Sequence, residues 1–125
     1  MNFIEFSELT GKTLSKIEGA EPGSEQVIFF RNDVPAYRME HMQDCCEGVS
    51  IEEVIGDVAD AIGTPILKAE ESTNNDNPLS KYTESHTWTF YRLVTNKGTV
   101  VLRWYGESNG YYSESVEFFE VEQLS

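Results

Sequence analysis

The fold class this sequence predicts is α+β: a mainly antiparallel sheet with one amphipathic helix packed on it. Three observations carry that expectation. Residues 50–62 repeat apolar side chains at helical spacing behind a capping sequence. Residues 27–42 alternate apolar and polar side chains around a turn. Residues 86–105 do the same. At 125 residues the chain fits one domain spanning 1–125. A domain of this size buries about two thirds of its unfolded surface, so it needs no disulfide or metal to fold.

From the N-terminus, residues 2–9 read as a short amphipathic turn with Phe3, Ile4 and Phe6 facing inward, ended by Gly11. Residues 13–17 alternate weakly and suggest a first strand. Gly19, Pro22 and Gly23 mark a loop. Val27-Ile28-Phe29-Phe30 is an apolar run of strand formers, and Asn32-Asp33-Val34-Pro35 follows as a turn. Alternation resumes over 36–42, with Tyr37, Met39 and His41 on one face and Arg38 and Glu40 on the other. This is a hairpin pattern.

The spacing then predicts a helix. Ser50-Ile51-Glu52-Glu53 matches a capping box, in which serine and glutamate side chains satisfy free N–H groups reciprocally. Ile51, Val54, Ile55, Val58 and Ile62 share one face; Glu52, Glu53, Asp57 and Asp60 share the other. Gly63 supplies a left-handed stop and Pro65 prevents continuation. Gly56 inside the helix costs about 1 kcal/mol against alanine unless close packing requires it. Residues 65–69 return as a strand, and 70–81 form a long polar loop. The last third reads as a three-stranded meander: residues 86–94 and 99–105 around Thr95-Asn96-Lys97-Gly98, then residues 111–121 after a turn centred on Asn109-Gly110.

Charge bounds the partners. Twenty-two acidic residues oppose 9 basic ones, for a net charge of -13. Nucleic-acid binders need clustered Lys and Arg to displace counterions, and here the basic residues are scattered. Direct nucleic-acid binding and anionic membranes are therefore disfavoured. A protein partner with a basic surface is permitted, steered by long-range attraction; plain solubility is the bland alternative. Residues 1–5 lack a secretory pattern, and no apolar stretch approaches the roughly 20 residues of a membrane helix. The expectation is a cytoplasmic protein with reduced thiols and no cofactor. Unpaired strand edges would allow a homodimer.

Three constellations are candidate sites. Cys45 and Cys46, the only cysteines, sit in His41-Met42-Gln43-Asp44-Cys45-Cys46-Glu47. Adjacent Cα atoms lie about 3.8 Å apart, below the usual disulfide range of about 4.4 Å upward. Zinc ligation with His41 and His86 has the right donors but the wrong cysteine spacing. A cysteine nucleophile is opposed by Asp44 and Glu47, which disfavour a thiolate. The expectation is structural: one cysteine in the core, the other capping a turn, and His41 hydrogen-bonded in the core. The second constellation is Trp104 to Ser113, where Trp104, Asn109 and Tyr111 offer stacking on a base or sugar, against sheet packing as the alternative. The third is the acidic helix face of Glu52, Glu53, Asp57 and Asp60, read either as a mimic of a phosphate backbone or as a solvated face.

Four motifs run in order along the chain: Leu9-Thr10-Gly11-Lys12-Thr13-Leu14; His41-x-x-Asp44-Cys45-Cys46-Glu47-x-Val49; Thr87-Trp88-Thr89-Phe90-Tyr91; and Arg103-Trp104-Tyr105-Gly106-Glu107-Ser108-Asn109-Gly110-Tyr111-Tyr112-Ser113. Together they cover nearly the whole chain, which resembles a family of small phage and prophage proteins known only as a domain of unknown function. The resemblance implies a phage context, hence host cytoplasm, and no activity.

The function expected from these features is that of a small acidic, non-enzymatic accessory protein that binds a protein. Its most concrete form is an inhibitor of a host-defence or nucleic-acid-binding protein through Glu52, Glu53, Asp57 and Asp60. The alternative is a small-ligand binder or enzyme using His41, Cys45, Cys46, Trp104, Asn109 and Tyr111.

Overall fold

A computed structural model describes residues 2–121, and those residues are all-β. The strands are β1 (Asn2–Phe3), β2 (Lys16–Glu18), β3 (Gln26–Arg31), β4 (Val34–Glu40), β5 (Gly48–Ile55), β6 (Lys68–Asn74), β7 (Ser85–Thr95), β8 (Gly98–Ser108) and β9 (Glu117–Glu120). They form two antiparallel sheets, ordered β1-β9-β4-β3-β2 and β5-β8-β7-β6. The helical segments are two short 3-10 turns, Phe6–Leu9 and Val58–Ala61. No helix among the described residues is long and apolar enough to cross a membrane. The α+β expectation is corrected accordingly: among the described residues there is no amphipathic helix.

The segment expected to be helical is β5, paired antiparallel with β8 from Gly48↔Glu107 to Ile55↔Val101. Its Val and Ile side chains are β-branched, which favours a strand. A bulge explains the misleading spacing. Ile51 faces Trp104 and Glu53 faces Arg103, so Glu52 is the extra residue. Ile51 is buried, and the next inward side chain is Val54, three positions on. A strand interrupted by one bulge thus reproduces the i, i+3 signature of a helix. Gly56 then turns the chain at φ 92°; a Cβ there would meet the Thr99 carbonyl oxygen at 2.3 Å.

The two expected hairpins are present. β3 and β4 are joined by Asn32 and Asp33, both at positive φ (53° and 62°), as a two-residue hairpin turn requires. β7 and β8 pair along their length, from Ser85↔Ser108 to Thr95↔Gly98. The meander is not present. β5 occupies the free edge of β8, so the C-terminal segment crosses to the other sheet, where β9 pairs with β4 and β1. The expected polar loop over 70–81 is partly strand: β6 runs to Asn74 as an edge, and its exposed side chains hide the alternation.

Both sheets close on one core that includes Leu9, Phe29, Met39, Ile51, Tyr91 and Trp104. Phe6 joins the sheets. Its ring lies 4.8 Å from that of Tyr91 on β7 and 5.2 Å from that of Phe118 on β9, both edge-on. That geometry suits the ring quadrupole.

Candidate functional site

The loop from β4 to β5 links the two sheets and is built around one buried carboxylate. Glu47 accepts from the Asp44 backbone N–H at 2.6 Å and from the Cys45 N–H at 3.2 Å. His41 Nε2 lies 3.0 Å from Glu47 Oε1, and His41 Nδ1 lies 2.7 Å from the Ser115 carbonyl oxygen. Both ring nitrogens face acceptors, so both donate only when the ring is an imidazolium. Gln43 closes the loop by donating to the carbonyls of Cys45 and Glu47 at 3.0 and 2.7 Å. The Asp44 N–H leads in lowering the Glu47 pKa; burial opposes it, His41 adds to it, and the value falls from 4.5 to about 2. His41 is thus the hydrogen-bonded interior histidine the sequence suggests, with both ring nitrogens engaged by Glu47 and the Ser115 carbonyl.

This scaffold points both cysteines outward. Cys45 and Cys46 are free and exposed, which corrects the expectation that one packs in the core. Glu47 takes the interior position instead. Neighbouring Cys45 first, then burial and the charge of Glu47, pushes the Cys46 thiol pKa up. The Tyr112 phenol is likewise pushed up, by Cys45 first.

Beside the thiols lies a cleft of about 380 Å³, with Cys46, Tyr82, Thr83, Glu107, Asn109 and Tyr112 among its walls. Glu107 accepts from the Thr83 hydroxyl at 3.0 Å. Behind it Glu114 is buried. Burial raises its pKa, but the hydroxyls of Ser108, Ser85 and Thr87 together with His86 outweigh that and bring it below the ordinary value. Of the ligand candidates, Cys46 and Asn109 meet at this cleft. Tyr111 projects into solvent at 84% exposure. Trp104 is fully buried in the core and belongs to packing. Tyr82 and Thr83 carried no signal in the sequence. Glu107 and Tyr112 lie within the Trp104–Ser113 constellation, but Glu107 figured there only as a flanking acid and the alternation assigned Tyr112 to a meander strand that does not form.

The acidic candidates do not form a row. Glu52 and Glu53 sit at the β5 bulge, with Glu53 3.8 Å from Arg103. Asp57 caps the second 3-10 turn by accepting from the Ala59 N–H at 3.0 Å. Asp60 lies under Gly98 at the β7–β8 turn. The common face assigned to them required the absent helix.

A different acidic surface appears where β1, the first 3-10 turn, β6 and β9 meet. A groove of about 480 Å³ has an apolar floor of Phe3, Ile4, Phe6, Val116 and Phe118. Glu5, Glu8, Glu71 and Glu117 rim it. No Lys, Arg or His lines it, and among the described residues none of the four carboxylates is in an ion pair. Glu70, the next residue on β6, contrasts with them: Arg92 holds it at 2.8 Å and lowers its pKa. Beneath the groove the Tyr91 hydroxyl donates to the Val116 carbonyl at 3.1 Å. Burial first, then Glu71 and Glu117, raises the Tyr91 pKa and keeps the phenol neutral.

The family model described as "Domain of unknown function (DUF7448)" matches residues 7–118. No curated protein and no solved structure matches the chain. The chain belongs to the DUF7448 family.

Proposed function

The family carries no stated function, so from the groove this chain carries we propose that the protein acts as a binding module for a basic segment of a partner protein. The observation that carries the reading is the groove of Glu5, Glu8, Glu71 and Glu117 around an apolar floor, with no cation of its own. Lysine and arginine side chains match that chemistry, since their apolar stems can lie on Phe3 and Phe6 while their charged heads meet the carboxylates. The net charge of -13 would steer such a partner from a distance. A phage-encoded inhibitor occupying the basic surface of a host-defence or nucleic-acid-binding protein is the biological form of this proposal. It rests on charge and on the resemblance of the motifs.

Fluorescence anisotropy with a labelled peptide of alternating lysine and leucine tests it. Binding should weaken as salt screens the carboxylates. Joint reversal by Glu8→Lys and Glu71→Lys should weaken it by about 100-fold or more. Reversal at Glu53 and Asp57, away from the groove, should cost only a screenable few-fold. Equal loss from both pairs of reversals would reduce the effect to net charge and defeat the groove assignment.

A further inference from the structure

We propose that Asn109 is a site of self-catalysed covalent modification. The fold drives closure of its side chain onto the Gly110 nitrogen, and water opens the resulting succinimide to aspartate or isoaspartate. The site lies on the loop between β8 and β9, outside the groove, and is independent of partner binding.

Three observations carry the proposal. Asn109 is the only asparagine followed by glycine, and both residues are exposed. Gly110 has no side chain to shield its nitrogen from the neighbouring carboxamide. Second, the Gly110 N–H donates to the Ser108 hydroxyl at 3.0 Å, and that hydroxyl donates to Glu114 Oε2 at 2.6 Å. A proton leaving Gly110 thus has a path of two hydrogen bonds to a buried carboxylate. Third, Asn109 Oδ1 accepts from the Tyr111 N–H at 2.9 Å. That donor polarises the carbonyl under attack and faces the negative charge that develops on its oxygen.

An amide nitrogen is a poor nucleophile until it sheds its proton, so a base within reach is what an ordinary Asn–Gly pair lacks. Glu114 supplies one. The Thr87 hydroxyl holds its other oxygen at 2.8 Å, and its pKa below the ordinary value leaves it ionised at neutral pH. The atoms balance in two steps. The Gly110 nitrogen forms a bond to Asn109 Cγ while its proton passes to Ser108 and the Ser108 proton to Glu114. The carbonyl electron pair moves onto Oδ1, against the Tyr111 N–H. Collapse restores the carbonyl and breaks the Cγ–Nδ2 bond, and Nδ2 leaves as ammonia with the proton returned from Glu114. Water then adds to either carbonyl of the succinimide. One water is consumed, one ammonia is released, and no oxidant or reductant is needed. The product adds a carboxylate beside Glu107 on the cleft wall. Asn96 shows what is missing elsewhere. The Lys97 N–H donates to the Thr95 hydroxyl at 3.1 Å, but that hydroxyl donates to the Asp60 carbonyl, which cannot take the proton.

The test incubates the freshly purified, folded protein at neutral pH and follows the Asn109 peptide by mass spectrometry, with isoaspartyl methyltransferase as a second readout. Asn109 should convert about 10-fold faster in the folded chain than in the same chain unfolded in guanidinium chloride, a modest share of the roughly 100-fold that a positioned base can supply. Ser108→Ala and Glu114→Gln should each bring the folded rate down to the unfolded one. Ser108→Ala leaves Glu114 its bond from Thr87, so the buried carboxylate is not stranded. Ser108→Thr keeps the hydroxyl and should keep the fast rate. A folded rate equal to or below the unfolded rate would overturn the site. An unchanged rate in Ser108→Ala, or a loss in Ser108→Thr as large as in Ser108→Ala, would overturn the proton path. Conversion of Asn96 as fast as that of Asn109 would overturn the part given to the carboxylate.

Discussion

Replacing Glu47 by glutamine would remove the charge that the Asp44 and Cys45 N–H groups and His41 converge on. The pH dependence has a definite sign. A carboxylate held at about 2 in the folded chain, against an ordinary 4.5, adds stability that is complete above 4.5 and is lost as pH falls toward 2. Urea midpoints should therefore decline through that window for wild type and decline less steeply for Glu47→Gln; parallel curves would mean that Glu47 is not so held. Glycines give a second comparison at this scale. Gly11 and Gly56 both have positive φ, but a Cβ at Gly11 meets nothing within 4 Å, whereas one at Gly56 meets the Thr99 oxygen. Gly11→Ala should cost about 1–2 kcal/mol for the left-handed backbone alone. Gly56→Ala should cost clearly more in the same denaturation experiment, because a clash with backbone is added. The inward turn of Glu47 was not legible in the sequence. A buried glutamate beside two outward cysteines reverses the usual burial order, and only the convergence of donors from residues 41–45 accounts for it.

Local hairpins were the readable elements, since Asn32-Asp33 and Thr95-Asn96-Lys97-Gly98 carry their turn chemistry within a few residues. β5 was not, because the bulge at Glu52 imposes a three-residue interval between Ile51 and Val54. Deletions separate strand from helix. Removing Glu52 restores plain alternation, so that variant should unfold cooperatively with a loss of about 1–2 kcal/mol. Removing Ile51 carries Glu52 toward the core position and should abolish cooperative unfolding. In a helix either deletion would rotate the downstream residues by the same angle, and the two losses would match. β9 was misassigned for a longer-range reason. Its residues alternate as a strand should, but the choice of β4 over β8 depends on β5 having already taken the edge of β8.

The whole molecule carries a net charge of -13, distributed unevenly in its effect. Glu70 and Glu53 have arginine partners, and Glu47 and Glu114 are buried inside the fold. Among the described residues the carboxylates around the groove have no such cation, and the proposed binding surface is placed there for that reason. Composition suggests a basic partner, but the surface proposed for it depends on contacts between residues 3–8, 71 and 116–118, which no local pattern reveals. Salt should discriminate as well. Wild type should lose affinity for the basic peptide steeply with ionic strength, whereas a variant lacking the groove carboxylates should show a weak, shallow dependence. The most direct measurement is an NMR titration of the labelled protein with that lysine–leucine peptide. Shifts confined to the backbone of Phe3, Glu5, Phe6, Glu8, Glu71 and Glu117 are the expected result. Shifts centred on β5 or on the thiol loop, or spread evenly over the acidic surface, would contradict the groove as the binding site.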